Sequence, residues 1–331
     1  MYKEITIIGA GPAGIAAAIQ LKREGFEPFL LEQHKVGGLL WNANLIENYP
    51  GFPDGIPGKK LAWLFSEQLK KLNIKVSRQR VKHLAWKKGF FEIETEVRKS
   101  GKNRFASRMV IVASGTIPKK ISLPDGKGSF RRRFFYEINE LTSTERKKIT
   151  IIGGGDVAFD YALNLVSPEV ICQSGKKKRN CRVDLVFRDS SPKCLPILLV
   201  RAKRSKKIKL WPDTVPLRIR EGEGKIFLDC KSNPRNSLAG PEKEFSLSSD
   251  YILVAIGRVL NIDFLSEELQ RFYLEKDYEK EPLFQKGKGI FFVGDVVNGD
   301  YRQAGIAVGE GLACGMRIAR FLKKEKFNLQ E

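Results

Sequence analysis

Glycines spaced to let a backbone close over a pyrophosphate occur twice in this chain, each set following an apolar strand and opening a helix. In the first, Glu4 to Ile8 predicts a buried parallel strand, Gly9-Ala10-Gly11-Pro12-Ala13-Gly14 follows at once, and Ile15 to Lys22 predicts a helix. Gly9 permits the tight turn, Gly11 lets the backbone approach phosphate, and Gly14 lets the helix pack on the strand, with the helix start at Pro12 and Ala13 facing the phosphates. The next strand, Phe29-Leu30-Leu31, ends in Glu32, where a carboxylate accepts hydrogen bonds from adenosine ribose hydroxyls. A dinucleotide is expected here; the bland reading is a glycine-rich loop in an unrelated α/β protein.

The second set has the same form. The apolar run Ile149 to Ile152 leads into Gly153-Gly154-Gly155-Asp156-Val157, and Ala158 to Leu165 reads as a helix. After the strand Val183 to Phe187 come Arg188, Asp189 and, further on, Lys193. Arg188 and Lys193 would neutralise a 2′-phosphate and favour NADP(H), whereas Asp189 would serve ribose hydroxyls and favour NAD(H). The alternative is a solvated loop.

The elements that must position these turns set the fold class. A chain of 331 residues with a globular composition suggests two domains. The expectation is an α/β protein of two Rossmann-like nucleotide-binding domains of the three-layer ββα type, the second inserted in the first. Residues 1–118 and 249–331 would form the discontinuous first domain, with a small antiparallel insertion around Phe90 to Arg98. Residues 119–248 would form the second, hinged near Pro118 to Pro124. No stretch reads as transmembrane, and a strand beginning by residue 4 leaves no room for a secretory signal, so a cytoplasmic enzyme is expected. Cys172, Cys181, Cys194, Cys230 and Cys314 form no Cys-x-x-Cys, and with only His34 and His83 beside them no metal set assembles. A disulfide from Cys172 to Cys181 would span the basic loop between them, against the reducing conditions of a cytosol.

The net charge of +21 is unevenly placed: residues 119–248 hold 28 Lys or Arg against 15 Asp or Glu, an excess of 13. The dense runs are Arg131 to Arg133, Lys176 to Arg179 and Arg201 to Lys209. These are solvated faces or a docking field for an acidic partner, which would speed encounter and weaken with salt. No helix-turn-helix, zinc finger or RNA-binding aromatic motif accompanies the charge, so nucleic acid is not the expected partner.

Longer motifs carry a family resemblance. Gly37-Gly38-Leu39-Leu40-Trp41, running on without a gap to Glu47-Asn48-Tyr49-Pro50-Gly51, resembles the flavin loop of low-molecular-weight thioredoxin reductases. Val112 to Pro118 and Val254 to Arg258 are similar to that family's two crossovers, and Gly289 to Asp295 with Tyr301-Arg302-Gln303-Ala304 to its last FAD motif. The resemblance implies FAD, with Gly9, Gly11 and Gly14 at its pyrophosphate and Glu32 at its ribose. It further implies Gly38, Leu39 and Asn48 in the flavin region, Gly294 and Asp295 at the ribityl chain, and Arg302, Gln303 and Ala304 at the ring. The second turn, with Gly153, Gly155, Asp156, Val157, Arg188 and Lys193, would take NADP(H) or NAD(H). A homodimer is also implied. Leu39 replaces the family's glutamine and Trp41 is unusual; Trp41 and Tyr49 are either core aromatics or ring-stacking ones.

The chemical departure lies in the second domain. Thioredoxin reductases carry a Cys-x-x-Cys just before its glycine turn, which passes electrons from flavin to a protein disulfide. Here Gly128 to Leu141 contains no cysteine. That region, with Phe159-Asp160-Tyr161-Ala162-Leu163, is similar to the thioredoxin-reductase-type ferredoxin–NADP reductases, which lack the pair and exchange electrons with acidic ferredoxin or flavodoxin. That branch's C-terminal aromatic extension has no counterpart in the tail Lys323 to Glu331, so the expected flavin face is either more open or covered by Trp41 or Tyr49. The expectation is therefore an FAD enzyme moving electrons between NADPH and ferredoxin or flavodoxin. The alternatives are a thiol–disulfide oxidoreductase using atypical or external thiols, and a non-catalytic flavin redox sensor or nucleotide-independent flavoprotein.

Overall fold

The computed structural model describes residues 1–97, 101–124, 132–141, 144–167, 169–172, 175–178, 180–232, 243–275, 283–285 and 288–328. Along them run helices α1 (Pro12–Arg23), α2 (Gly58–Lys71), α3 (Asp156–Val166), α4 (Pro196–Arg204), α5 (Glu267–Leu274) and α6 (Ala304–Asn328). The chain divides into two compact units, one of Met1–Trp41, Leu45–Ile117 and Leu260–Glu331, the other of Asn42–Asn44 and Pro118–Val259.

In the first unit, strands Lys288–Phe292, Gly101–Val112, Tyr2–Ile8, Phe29–Glu32 and Val76–Arg78 lie side by side in parallel. Side chains alternate across a strand, so one face presents Ile5, Ile7, Met109 and Ile111 to α1 and α6. The other presents Ile8, Val110 and Val112 to Phe91, Ile93 and Leu269. That second face is covered by the antiparallel strands Arg80–Lys87 and Phe90–Val97. They turn at Lys88 and Gly89, whose φ of 49° and 79° match the primed turn that suits strand twist. This is the expected small insertion; Arg98 lies outside the described residues.

The second unit repeats the plan. Phe134–Phe135, Tyr251–Val254, Lys148–Ile152, Arg182–Val186 and Ile208–Trp211 form a wholly parallel sheet. One face packs Ile149, Ile151 and Leu185 against Phe159, Tyr161 and Leu165 of α3. The other packs Ile152, Val186, Ile252 and Val254 against Ile219, Ile226, Leu228 and Leu247. Those last four belong to the antiparallel sheet of Thr214–Gly222, Lys225–Ser232 and Glu244–Ser249. Antiparallel sheet, parallel sheet and helices make the three layers, and the fold class is α/β with two such units. One boundary differs from the sequence expectation: Tyr251–Val254, assigned from sequence to the first domain, pairs with Lys148–Ile152 in the second unit's sheet.

Candidate functional site

The first glycine turn is shaped by what its glycines touch. Gly9 has φ of 106°, and a Cβ there would lie 2.3 Å from the Ala113 carbonyl oxygen; at Gly14 it would lie 1.9 Å from that of Gly9. Gly11 differs: a Cβ would meet nothing within 4 Å. Gly11 is the N-cap of α1, Pro12 takes the first helical position, and no side chain caps the helix. The turn is thus closed on its inner side and open at the helix N-terminus, where partial positive charge favours an anion.

Other expected residues converge on this cradle. Glu32 is buried; its Oε2 accepts from Ala10 N at 2.9 Å and its Oε1 from His34 N at 2.7 Å. Each oxygen keeps further lone-pair capacity, since an ionised carboxylate accepts about four hydrogen bonds. Gly37 N donates to Ala10 O at 2.7 Å, and a Cβ on Gly38 (φ 53°) would lie 3.1 Å from Gly11 Cα, so the loop carrying Leu39 is drawn against the first turn. From the far end of the chain, Gly294 (φ 79°) comes so close to Ala13 that a Cβ would lie 2.8 Å from Ala13 Cβ. Asp295 follows in the short 3-10 helix Gly294–Val296.

Asn48 Nδ2 donates to Gln303 Oε1 at 2.9 Å, joining the loop that carries Asn48 to the residue just before α6. Arg302 Nε is buried with no hydrogen-bond partner among the described residues. A buried, unpaired charged donor costs free energy unless a partner arrives. With the open Gly11 cradle it fits a site completed by an acceptor-rich cofactor such as FAD. Ala304 packs with Trp41 and Tyr49 against Leu40, Ile56, Leu61 and Ala62. Trp41 Nε1 donates to Val36 O at 2.7 Å, burial pushes the Tyr49 phenol up, and both aromatics are half-buried where they pack on this cluster.

The second turn has the same logic. Gly153 has φ of 150°, and a Cβ would lie 2.1 Å from Ala255 O, whereas one on Gly155, the N-cap of α3, would meet only Lys193 O at 3.8 Å. Lys193 N donates to Gly154 O at 2.8 Å, and Leu195 N to Asp156 Oδ1 at 2.6 Å, so Asp156 ties the 193–195 loop to the helix start. Val157 is exposed in the first turn of α3. The Arg188 side chain is 75% exposed, its Nε 3.8 Å from Asp189 Oδ2, a separation that leaves the guanidinium reaching into solvent.

Burial pushes the Cys230 and Cys314 thiols up to about 12, and burial followed by the nearby Asp156 raises that of Cys194. The Cys172 side chain, Arg131, Arg179 and the segment Gly128 to Phe130 lie outside the described residues. Among the described residues no group of three or more His, Cys, Asp or Glu could hold a metal. None of their helices is long and apolar enough to cross a membrane.

Two contributors escaped the sequence reading. Glu310 Oε2 accepts from Gly294 N at 2.6 Å and from Asn298 Nδ2 at 3.0 Å, fixing the turn before Asp295. Its signal was a lone carboxylate in the Gly- and Ala-rich start of α6. Ser114 Oγ donates to Asn261 O at 2.7 Å and Asn261 Nδ2 to Ser114 O at 3.2 Å, clasping the two crossovers; nothing local to either residue marks this pair.

Residues 3–311 match the family model described as pyridine nucleotide-disulphide oxidoreductase. The chain is similar to a thioredoxin reductase of Bacillus subtilis, 28% identical over 329 residues that cover 97% of this chain and 95% of that one. Among solved structures it is similar to a thioredoxin reductase of Lactococcus lactis, with a TM-score of 0.76, 25% identity, and 97% and 99% of the two chains covered. A bacillithiol disulfide reductase of Bacillus cereus shares the fold, with a TM-score of 0.69 at 19% identity over 97% of this chain and 99% of that one. The paired glycine turns and these likenesses place the chain in the pyridine nucleotide-disulphide oxidoreductase family, as an FAD-dependent NAD(P)H oxidoreductase of the thioredoxin reductase type.

Proposed function

We propose that this enzyme exchanges electrons between NADPH and an acidic one-electron carrier, a ferredoxin or flavodoxin, without a dithiol relay. The observation that carries the reading is that the chain contains no Cys-x-x-Cys anywhere and no cysteine before Cys172. The burial of Cys230 and Cys314, which pushes both thiols up to about 12, supports it, because thiolate is the species that attacks a disulfide. The excess of positive charge in residues 119–248 supports an acidic partner.

In this reading Gly9, Gly11, Pro12, Ala13 and Gly14 seat the FAD pyrophosphate, Glu32 accepts from its ribose, and Asp295, set by Gly294, accepts from the ribityl chain. Gly38, Leu39 and Asn48 border the flavin, while Arg302, Gln303 and Ala304 form the side that meets the ring's pyrimidine edge, where donors stabilise negative charge. Gly153, Gly155, Asp156 and Val157 seat the nucleotide, and Arg188 with Lys193 meet a 2′-phosphate, favouring NADPH over NADH. Bound FAD supplies the conversion from two-electron hydride chemistry to single-electron transfer. Overall, NADPH and two oxidised carriers give NADP⁺, a proton and two reduced carriers. The working form is a homodimer.

Likeness to proteins called thioredoxin reductases favours a second reading, in which a protein disulfide is the acceptor through external thiols. One experiment separates them: anaerobic turnover with NADPH and either an acidic ferredoxin, an acidic flavodoxin or oxidised thioredoxin. Carrier reduction without thioredoxin reduction supports the proposal; thioredoxin reduction alone contradicts it.

A further inference from the structure

Helix α4 has two unlike faces. Leu198, Leu199 and Ala202 pack into the core beside the parallel sheet of the second unit. Ile197 and Val200 remain 49% and 42% exposed, and Leu195 just before the helix is 54% exposed. Ile197, Val200 and Arg204 recur at three- and four-residue spacing and so share one side of the helix. Lys203, Arg204 and Lys206 are exposed around them. From Ser190 to Pro212 the chain has seven Lys or Arg and no Asp or Glu. Neither packing nor the nucleotide turn accounts for apolar side chains held in water on one helix face. Such a group with a rim of charge has the anatomy of a protein docking patch.

We propose that this face of α4, with Leu195, Ile197 and Val200 at its centre and Lys203, Arg204 and Lys206 at its rim, docks the acidic electron carrier; this rests on the function proposed above. The rim selects the occupant. A second copy of this chain, meeting the face across a two-fold axis, would set its cations against the same cations and be repelled. Nucleic acid would use the cations and leave the apolar stripe in water, whereas a carrier with an apolar contact ringed by carboxylates satisfies both. The rim would speed encounter and the stripe would slow release.

The test uses the flavin-loaded protein as wild type, Ile197→Ser/Val200→Ser and Lys203→Glu/Arg204→Glu. Steady-state kinetics with NADPH and an acidic ferredoxin or flavodoxin are read across ionic strength. Flavin bleaching at saturating NADPH and turnover of menadione, a small neutral acceptor, report every step that does not involve docking. Both variants should lose about tenfold or more in kcat/KM for the carrier. Bleaching and menadione turnover should stay at wild-type rates, and the charge-reversed variant should also show a flattened salt dependence. Wild-type carrier kinetics in both variants would overturn the surface assignment and leave the proposed function standing. A wild type that reduces menadione but neither carrier would overturn the function, and the assignment with it. Dissociation of a wild-type oligomer in Ile197→Ser/Val200→Ser would overturn it in favour of a second copy. Loss of duplex DNA binding in Lys203→Glu/Arg204→Glu with carrier kinetics unchanged would overturn it in favour of nucleic acid.

Discussion

Asn48 and Gln303 are 255 positions apart in the chain, yet Asn48 Nδ2 donates to Gln303 Oε1 at 2.9 Å. The bond fixes which end of the Gln303 amide is committed, because the carbonyl oxygen is taken and the NH₂ group remains a donor. A donor at the flavin edge favours the reduced, anionic ring. Gln303→Glu replaces donor with carboxylate, and it is expected to lower the flavin midpoint potential by about 30 mV, the equivalent of roughly 1.4 kcal/mol for a two-electron couple. Anaerobic titration against a reference dye measures it. An unchanged or raised potential would remove Gln303 from the ring.

Gly11 and Gly155 give a paired test of the two cradles. Each is a helix N-cap at ordinary negative φ (−78° and −96°), where an added Cβ has no close protein neighbour. Gly11→Ala and Gly155→Ala should therefore fold, with melting temperatures near wild type. The first is expected to purify with little FAD. The second should keep FAD but need about tenfold more NADPH for half-maximal bleaching, a loss of about 1.4 kcal/mol.

Removing a cation that meets a phosphate leaves that charge less well paired, at about 1.5–3 kcal/mol for a charged hydrogen bond. Arg188→Ala and Lys193→Ala should each raise the KM for NADPH roughly tenfold or more and leave that for NADH nearly unchanged. Equal effects on both nucleotides would place the two residues away from the 2′-phosphate.

Asp229 accepts from Arg220 Nε and Nη2, both at 2.7 Å, and from Arg218 Nε at 2.6 Å. The Arg220 guanidinium holds its carboxyl well below the usual carboxylate range. A carboxyl depressed in the folded state adds stability that is present above its unfolded pKa near 4 and is lost as pH falls further. Wild type should thus be more stable than Asp229→Asn at pH 7, with the gap narrowing below about pH 4. Denaturant melts at several pH values would reveal a constant gap if the pairing is idle.

The parts of the fold legible from sequence were those whose signal is local. Gly14 is required by the carbonyl of Gly9 just before it, and although Gly9 and Gly153 are required by the distant carbonyls of Ala113 and Ala255, strand-turn-helix order marks all three in the sequence. Membership of a sheet is not local. Tyr251–Val254 reads only as an apolar strand, and nothing in its composition says that it lies beside Lys148–Ile152 in the second unit. The same applies to the roles of side chains such as Asp156. Its position at a helix start places it at the second glycine turn, and only the structure shows that its carboxylate holds Leu195 N there. Trp41 and Tyr49 are ambiguous in sequence because an aromatic that stacks on a ring and an aromatic in a core look alike there; the structure packs both, half-buried, on the cluster around Leu40.

The most direct test of electron transfer without a dithiol is a variant with Cys172, Cys181, Cys194, Cys230 and Cys314 all replaced by Ser or Ala, assayed anaerobically with NADPH and an acidic ferredoxin or flavodoxin. The account predicts flavin bleaching and carrier reduction at wild-type rates. Normal bleaching with carrier reduction abolished would mean that electrons leave through a cysteine, and would contradict it.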